Sequence, residues 1–326
     1  MSNGELDFGD PQAERKPRKA PPLAPAPAGT TGAAARTGAP GWAAAPSSPA
    51  AAGAGSAAAS RTANGAGAAP VASNTADAGA QLAARKAVGA AAGIAVHVAA
   101  LDWQAIADEL NARGYAIIPG MLTADECAAM AAQYAQPALF RSRVVMAQHG
   151  FGSGEYQYFR YPLPSMISAL RLSLYGPLAR IANRWHELMG EDARFPPEHM
   201  DFLARCHAAG QQRPTPLLLQ YTSGDYNCLH QDLYGEHVFP LQVAVLLSQP
   251  GKDFDGGEFV LTEQRPRLQS RVEVMPLGRG DMVIFPVNHR PVQGGRGIYR
   301  VSMRHGVSRL RAGQRHTLGI IFHDAA

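Results

Sequence analysis

From Pro216 to the C-terminus the chain breaks into short apolar runs separated by Gly, Pro and Asp, and no long helical pattern interrupts them. The runs are 217–222, 241–247, 258–261, 271–275, 281–285, 299–303 and 315–323, rich in Val, Ile, Leu, Phe and Tyr. Regular short strands with turn signals between them predict a β-sandwich or barrel. The missing helices argue against parallel βαβ units. Helical patterns come earlier. Trp103, Ile106 and Leu110 recur at helical spacing, and Gly114 is placed to stop that helix. Tyr115–Pro119 reads as a short buried strand. Thr123, with Glu126 three residues on, is a capping box for a helix running to about Tyr134. A further helix is expected from about Pro177, at its first turn, to Met189. The fold class predicted is α+β: N-terminal helices supporting a jelly-roll-like barrel.

The first third of the chain is different. From about Pro11 to Ala100 it is mostly Ala, Gly, Pro, Ser and Thr. Such a stretch cannot bury enough apolar surface to offset its ordering entropy. The expected division is therefore a disordered tail over 1–100 and one domain over 101–326, with helical support at 101–215 and a catalytic β-barrel core at 216–324. The run 87–100 is too short and too rich in Ala and Gly to span a bilayer; it reads as a weak helix or linker. Arg15–Lys19 is a small basic cluster, read as a solvated charge run rather than a nucleic-acid contact. Three cysteines without a CxxC give neither a disulfide framework nor a thiolate zinc site. With Glu5, Asp7 and Asp10 and no apolar core at the N-terminus, the expectation is a cytoplasmic protein without a secretory signal.

The chemistry concentrates in His230-Gln231-Asp232 and His305-Gly306-Val307. Residues i and i+2 of a strand share a face. His230 and Asp232 can therefore grip one ion while Gln231 turns away. Two imidazoles and a carboxylate leave coordination positions open, as at a mononuclear non-haem iron site. His305 is the leading third ligand. His289 competes, since it also follows a Gly-Asp strand, but it lies just past Pro286 in an expected loop; Gly313 and Arg315 follow His305 in a hairpin pattern. His237 is expected on a loop or the next strand. Cys228 reads as a small buried filler beside His230. Zinc hydrolases also use two histidines and a carboxylate, so the triad alone leaves the metal open.

The ordered set from Leu219-Gln-Tyr221-Thr-Ser-Gly224 through His230-Gln231-Asp232 to His305-Gly-Val-Ser and Phe322-His-Asp324 resembles the iron(II)/2-oxoglutarate-dependent oxygenase superfamily. The first part is similar to AlkB-type dealkylases. His305-Gly306-Val307 with Arg315-His316-Thr317-Leu318 is similar to prolyl-4-hydroxylase-like domains. The whole stretch resembles a bacterial family classed as oxygenases acting on damaged DNA. The resemblance implies a double-stranded β-helix. It implies that His230, Asp232 and His305 bind Fe(II), that Arg315 receives the far carboxylate of 2-oxoglutarate, and that Tyr221 donates a hydrogen bond to the same co-substrate. O2 would take the last open position, with ascorbate as a reductant. Decarboxylation to succinate and carbon dioxide would then drive hydroxylation of a substrate C–H. A planar guanidinium suits the carboxylate because its N–H groups match both oxygens.

Two features bear on the substrate. Seven arginines (290, 296, 300, 304, 309, 311 and 315) and no acidic residue occupy 290–315, which could form a positive rim attractive to phosphate. Phe140–Arg143 and Gly154–Phe159 form an aromatic and basic stretch able to stack a base or pack a sheet. Nucleic acid is the favoured substrate, with a prolyl-type protein side chain as rival. A zinc-dependent hydrolase or a non-catalytic binding module on the same barrel are the readings from other classes. Oligomeric state is not legible.

Overall fold

The computed structural model describes residues 89–326. Residues 1–88, which hold most of the expected tail and the Arg15–Lys19 cluster, lie outside the described residues. Five helices precede the main run of strands: α1 (Gly89–Ala99), α2 (Trp103–Arg113), α3 (Ala124–Ala132), α4 (Ser165–Met189) and α5 (His199–Ala208). The tail boundary at residue 100 does not hold. In α1, Ile94 and Val98 are buried, and the Trp103 indole donates to the Val98 carbonyl.

Local signals set several ends. Asp102 caps α2 by accepting from the Gln104 and Ala105 amides, and Gly114 stops it in the left-handed region at φ 83°. Thr123 and Glu126 form the capping box of α3. α4 departs from expectation: it begins at Ser165, and Pro177 lies in its interior. Proline at that point removes only one helical hydrogen bond. The helix also buries Leu170, Leu174, Tyr175, Leu178 and Trp185, and that packing holds the chain helical through the lost bond.

Among the described residues, fourteen strands form two antiparallel sheets. The larger has the order β1 (Ala116–Ile118), β11 (Met282–Pro286), β7 (Leu241–Leu246), β14 (Leu310–Ile320), β5 (Leu217–Thr222), β4 (Glu155–Phe159) and β2 (Phe140–Val145), with β8 (Phe254–Gly256) also paired to β14. The smaller has the order β10 (Arg271–Met275), β9 (Phe259–Gln264), β13 (Gly297–Val307), β6 (Tyr226–His230) and β3 (Gly152–Ser153), with β12 (His289–Gly294) paired to β13. One core, including Leu174, Trp185, Leu218 and Phe322, joins the helices to the outer face of the large sheet. A second, including Tyr221, Phe259, Phe285 and Val307, fills the space between the sheets. The fold is a double-stranded β-helix braced by helices.

The split at residue 216 is too sharp. β1 to β4 come from the segment expected to be helical support, and β4 pairs directly with β5. β13 and β14 do not form a hairpin; they belong to opposite sheets.

Candidate metal centre

β6 ends on His230, and its neighbour β13 places His305 directly opposite. The ladder then shifts register between His305 and Val307. Gly306 fills the shift, where a Cβ would lie 2.7 Å from the Asn227 carbonyl. Asp232 sits just beyond the strand. Its turn is strapped down by Gln231, whose amide donates to the Met303 carbonyl at 2.8 Å. Gln231 therefore turns away from the site, as alternation requires. Ligand-capable atoms of His230, Asp232 and His305 all lie within 4.8 Å of one another. Asp232 Oδ2 is 3.3 Å from His305 Nε2, and Oδ1 is 3.5 Å from His230 Nε2. The three residues thus offer two nitrogens and an oxygen to one point, the donor set of an open iron or zinc site.

Surrounding groups orient these donors. The Tyr234 hydroxyl donates to Asp232 Oδ1 at 2.8 Å. His230 Nδ1 meets the Cys228 carbonyl at 2.8 Å, which leaves Nε2 facing the cluster. His305 Nδ1 faces the side-chain amide of buried Gln242 at 3.5 Å. Burial alone would raise the Asp232 carboxyl, but His230, His305 and Tyr234 outweigh it and hold the group well below the usual carboxylate range. Burial, then the neighbouring His305, lowers His230. An ionised carboxylate and a neutral imidazole are the forms a metal needs.

Arg315 lies midway along β14, not at its head, opposite Tyr221 of β5. It is 1 % exposed and, among the described residues, pairs with no carboxylate. Its Nη1 donates to Thr317 at 2.6 Å, its Nε is unpartnered, and its guanidinium faces Tyr221 and Phe254. The Tyr221 hydroxyl is also buried without a hydrogen bond. Burial pushes Arg315 down to about 10. One cavity is lined by Arg315, Tyr221 and Thr317 and by the three candidate ligands. A buried cation and a buried donor at one end, with open-site ligands along the same cavity, fit a keto dicarboxylate.

The other sequence candidates fall elsewhere. His289 opens β12 rather than a loop and stays outside the cluster. His237 is on a loop, where its amide binds Gln211. Cys228 is exposed, not a buried filler. The arginine rim largely dissolves: Arg290 is buried against Glu263, Arg300 pairs with Glu191, and Arg311 pairs with Asp255. Tyr234 and Gln242 were not singled out by the sequence. Tyr234 carried a signal, two residues past Asp232; Gln242 is the lone polar residue of an apolar strand.

A family model described as "Oxygenase, catalysing oxidative methylation of damaged DNA" matches residues 154–325. An uncharacterized protein of Mycobacterium tuberculosis, found in strains CDC 1551 / Oshkosh and ATCC 25618 / H37Rv, is 50% identical over 168 residues, 52% of this chain and 72% of that one. Among solved structures, a Pseudomonas putida prolyl-4-hydroxylase has 15% identity and a TM-score of 0.41 over 67% of this chain and 96% of its own. A 2OG-Fe(II) oxygenase family oxidoreductase from Burkholderia pseudomallei has 18% identity and a TM-score of 0.42 over 70% of this chain and 94% of its own. The matched region contains the histidine–aspartate–histidine cluster and Arg315. This chain belongs to that oxygenase family.

Proposed function

We propose that His230, Asp232 and His305 hold the iron, that Arg315 and Thr317 receive the far carboxylate of 2-oxoglutarate, and that the substrate is damaged nucleic acid carrying an oxidisable methyl group. The observation that carries the co-substrate assignment is the buried Arg315, without a carboxylate, in the cavity shared with the triad. When bound, iron, 2-oxoglutarate and O2 supply oxidative decarboxylation and delivery of one oxygen atom to a substrate C–H.

The chain's own residues do the rest. Tyr234 fixes the carboxylate of Asp232, and Gln231 holds the turn that carries it. Arg315 and Thr317 orient the keto acid. Phe259 and Phe285 flank His305 and keep water from that side. Tyr156, Tyr234 and Phe151 line the cavity, an aromatic wall against which a base can stack. The family description supports a nucleic-acid substrate. A reducing compartment suits both ferrous iron and three free thiols.

Succinate release tests the reading. With iron, ascorbate and 2-oxoglutarate, N-methylated single-stranded DNA should raise succinate output well above the substrate-free rate, and a proline-containing peptide should not. Stimulation by the peptide alone would replace DNA with a protein substrate. Retained zinc, with no 2-oxoglutarate binding, would favour the hydrolase.

A further inference from the structure

β5 measures the length of the cleft. Tyr221 lies beside Arg315 at one end, and Leu217 lies beside Tyr158 at the other. Alternate residues Leu217, Leu219 and Tyr221 all line the cavity that contains His230 and Asp232. At about 3.3 Å per residue, the two ends are roughly 13 Å apart. Arg315 marks the co-substrate end. Beyond Leu217 the chain continues back to Pro214 and Arg213, at the opposite end.

A pair of guanidiniums stands there. Arg141 of β2 is half-buried. Its Nε donates to the Pro214 carbonyl at 2.9 Å, and its guanidinium lies over the Tyr158 ring at 4.5 Å. Tyr158 meets Tyr234 edge-on at 6.5 Å, and Tyr234 in turn holds Asp232. Arg213, next to Pro214, is exposed. Burial first, and then Arg213, disfavour the Arg141 cation, partly offset by Tyr158 and Asp324. Among the described residues, neither arginine forms an ion pair with a carboxylate. Asp324, the acid nearest in effect to Arg141, is already held by Arg171, Tyr161 and His207. The contrast with Arg143, Arg290, Arg300 and Arg311, each paired to an acid, is plain. Two neighbouring cations, one partly desolvated and fixed against an aromatic ring, are unfavourable unless an anion joins them.

We propose that Arg141 and Arg213 anchor a backbone phosphate of the substrate strand at the mouth of the cleft, so that the attached base passes Tyr158 and Tyr234 to reach the metal. The inference rests on the nucleic-acid reading above. Its geometry is independent of the seven arginines of 290–315. Arg141 presents a planar fork suited to two phosphate oxygens. Along β5, the anchor stands at the Leu217 end, roughly 13 Å from Tyr221 and Arg315.

The test uses the full chain with 2-oxoglutarate and redox-inert Mn(II). A labelled single-stranded decanucleotide with one N-methylated base is titrated at several salt concentrations. Arg141→Gln and Arg213→Gln should each weaken binding several-fold at low salt and lower the log–log salt slope by about 0.7. Their 2-oxoglutarate affinity should match the wild type. Arg309→Gln, at the other end of the barrel beside Gly224 and Tyr226, should leave the slope unchanged. Wild-type slopes in both mouth variants, or an equal fall in Arg309→Gln, would overturn the anchor. So would displacement of the oligonucleotide by an acidic peptide of equal charge. Failure of the wild type to bind any oligonucleotide at low salt overturns the substrate reading itself, which is a different result.

Discussion

At the scale of single residues, the buried Gln242 faces His305 Nδ1 at 3.5 Å across the barrel. A metal-bound His305 needs an acceptor for its Nδ1 proton, and the Gln242 amide, turned to present Oε1, supplies one. Gln242→Leu should weaken metal binding 10- to 100-fold, measured with Mn(II) or Co(II), whereas Gln242→Glu should largely restore it. The clustering of His230, Asp232 and His305 could be read from type and spacing, because few side chains bind metals and alternation puts i and i+2 on one face. Gln242 could not, since its place depends on a strand 63 residues away in sequence. Arg315→Met should raise the 2-oxoglutarate requirement by at least about tenfold and leave iron affinity nearly unchanged, because a charge-assisted hydrogen bond is worth roughly 1.5–3 kcal/mol. Isothermal titration separates the two ligands. Equal loss of both would mean that the variant has disturbed the barrel rather than one contact.

At the scale of elements, the capped ends of α2 and α3 could be read from Asp102, Gly114, Thr123 and Glu126, since caps are local. The start of α4 could not, because its persistence through Pro177 depends on tertiary packing, whereas its end at Met189 could. That helix also supplies Arg171, which reaches the C-terminal segment: its Nη2 pairs with Asp324 at 2.7 Å and its Nε donates to the Ile321 carbonyl, all buried. Asp324→Ala should therefore cost roughly 3–5 kcal/mol, by stranding a buried cation. Denaturant unfolding would show it, and a loss below 1 kcal/mol would contradict it. Two buried histidines nearby set a pH dependence. Burial pushes His199 down to about 4 and His323 down to about 3. Their unfolded forms take up protons near pH 6.5, while the folded ones stay neutral. Stability should be full above about pH 6.5 and fall steadily toward pH 4, and His199→Phe should flatten part of that slope.

At the scale of the whole molecule, the barrel class and the short strand β1 followed from the sequence pattern, but the contribution of residues 140–159 did not. β2 to β4 lie between helical patterns, and β3 and β4 join the later strands β6 and β5 only by long-range pairing. The folded unit also begins earlier than composition suggests. Removing residues 1–88 should leave melting temperature and 2-oxoglutarate binding unchanged. Removing residues 1–100 should lower stability by a few kcal/mol, since burial of Ile94 and Val98 contributes about 1.5–3 kcal/mol each. The central claim, one open iron site joined to one keto-acid site, is tested most directly by anaerobic titration of the full chain. The visible charge-transfer band of an iron–keto acid chelate should saturate at one Fe(II) and one 2-oxoglutarate per chain, vanish in His305→Ala, and in Arg315→Met require much more 2-oxoglutarate at the same iron stoichiometry. An undiminished band in His305→Ala would contradict the account.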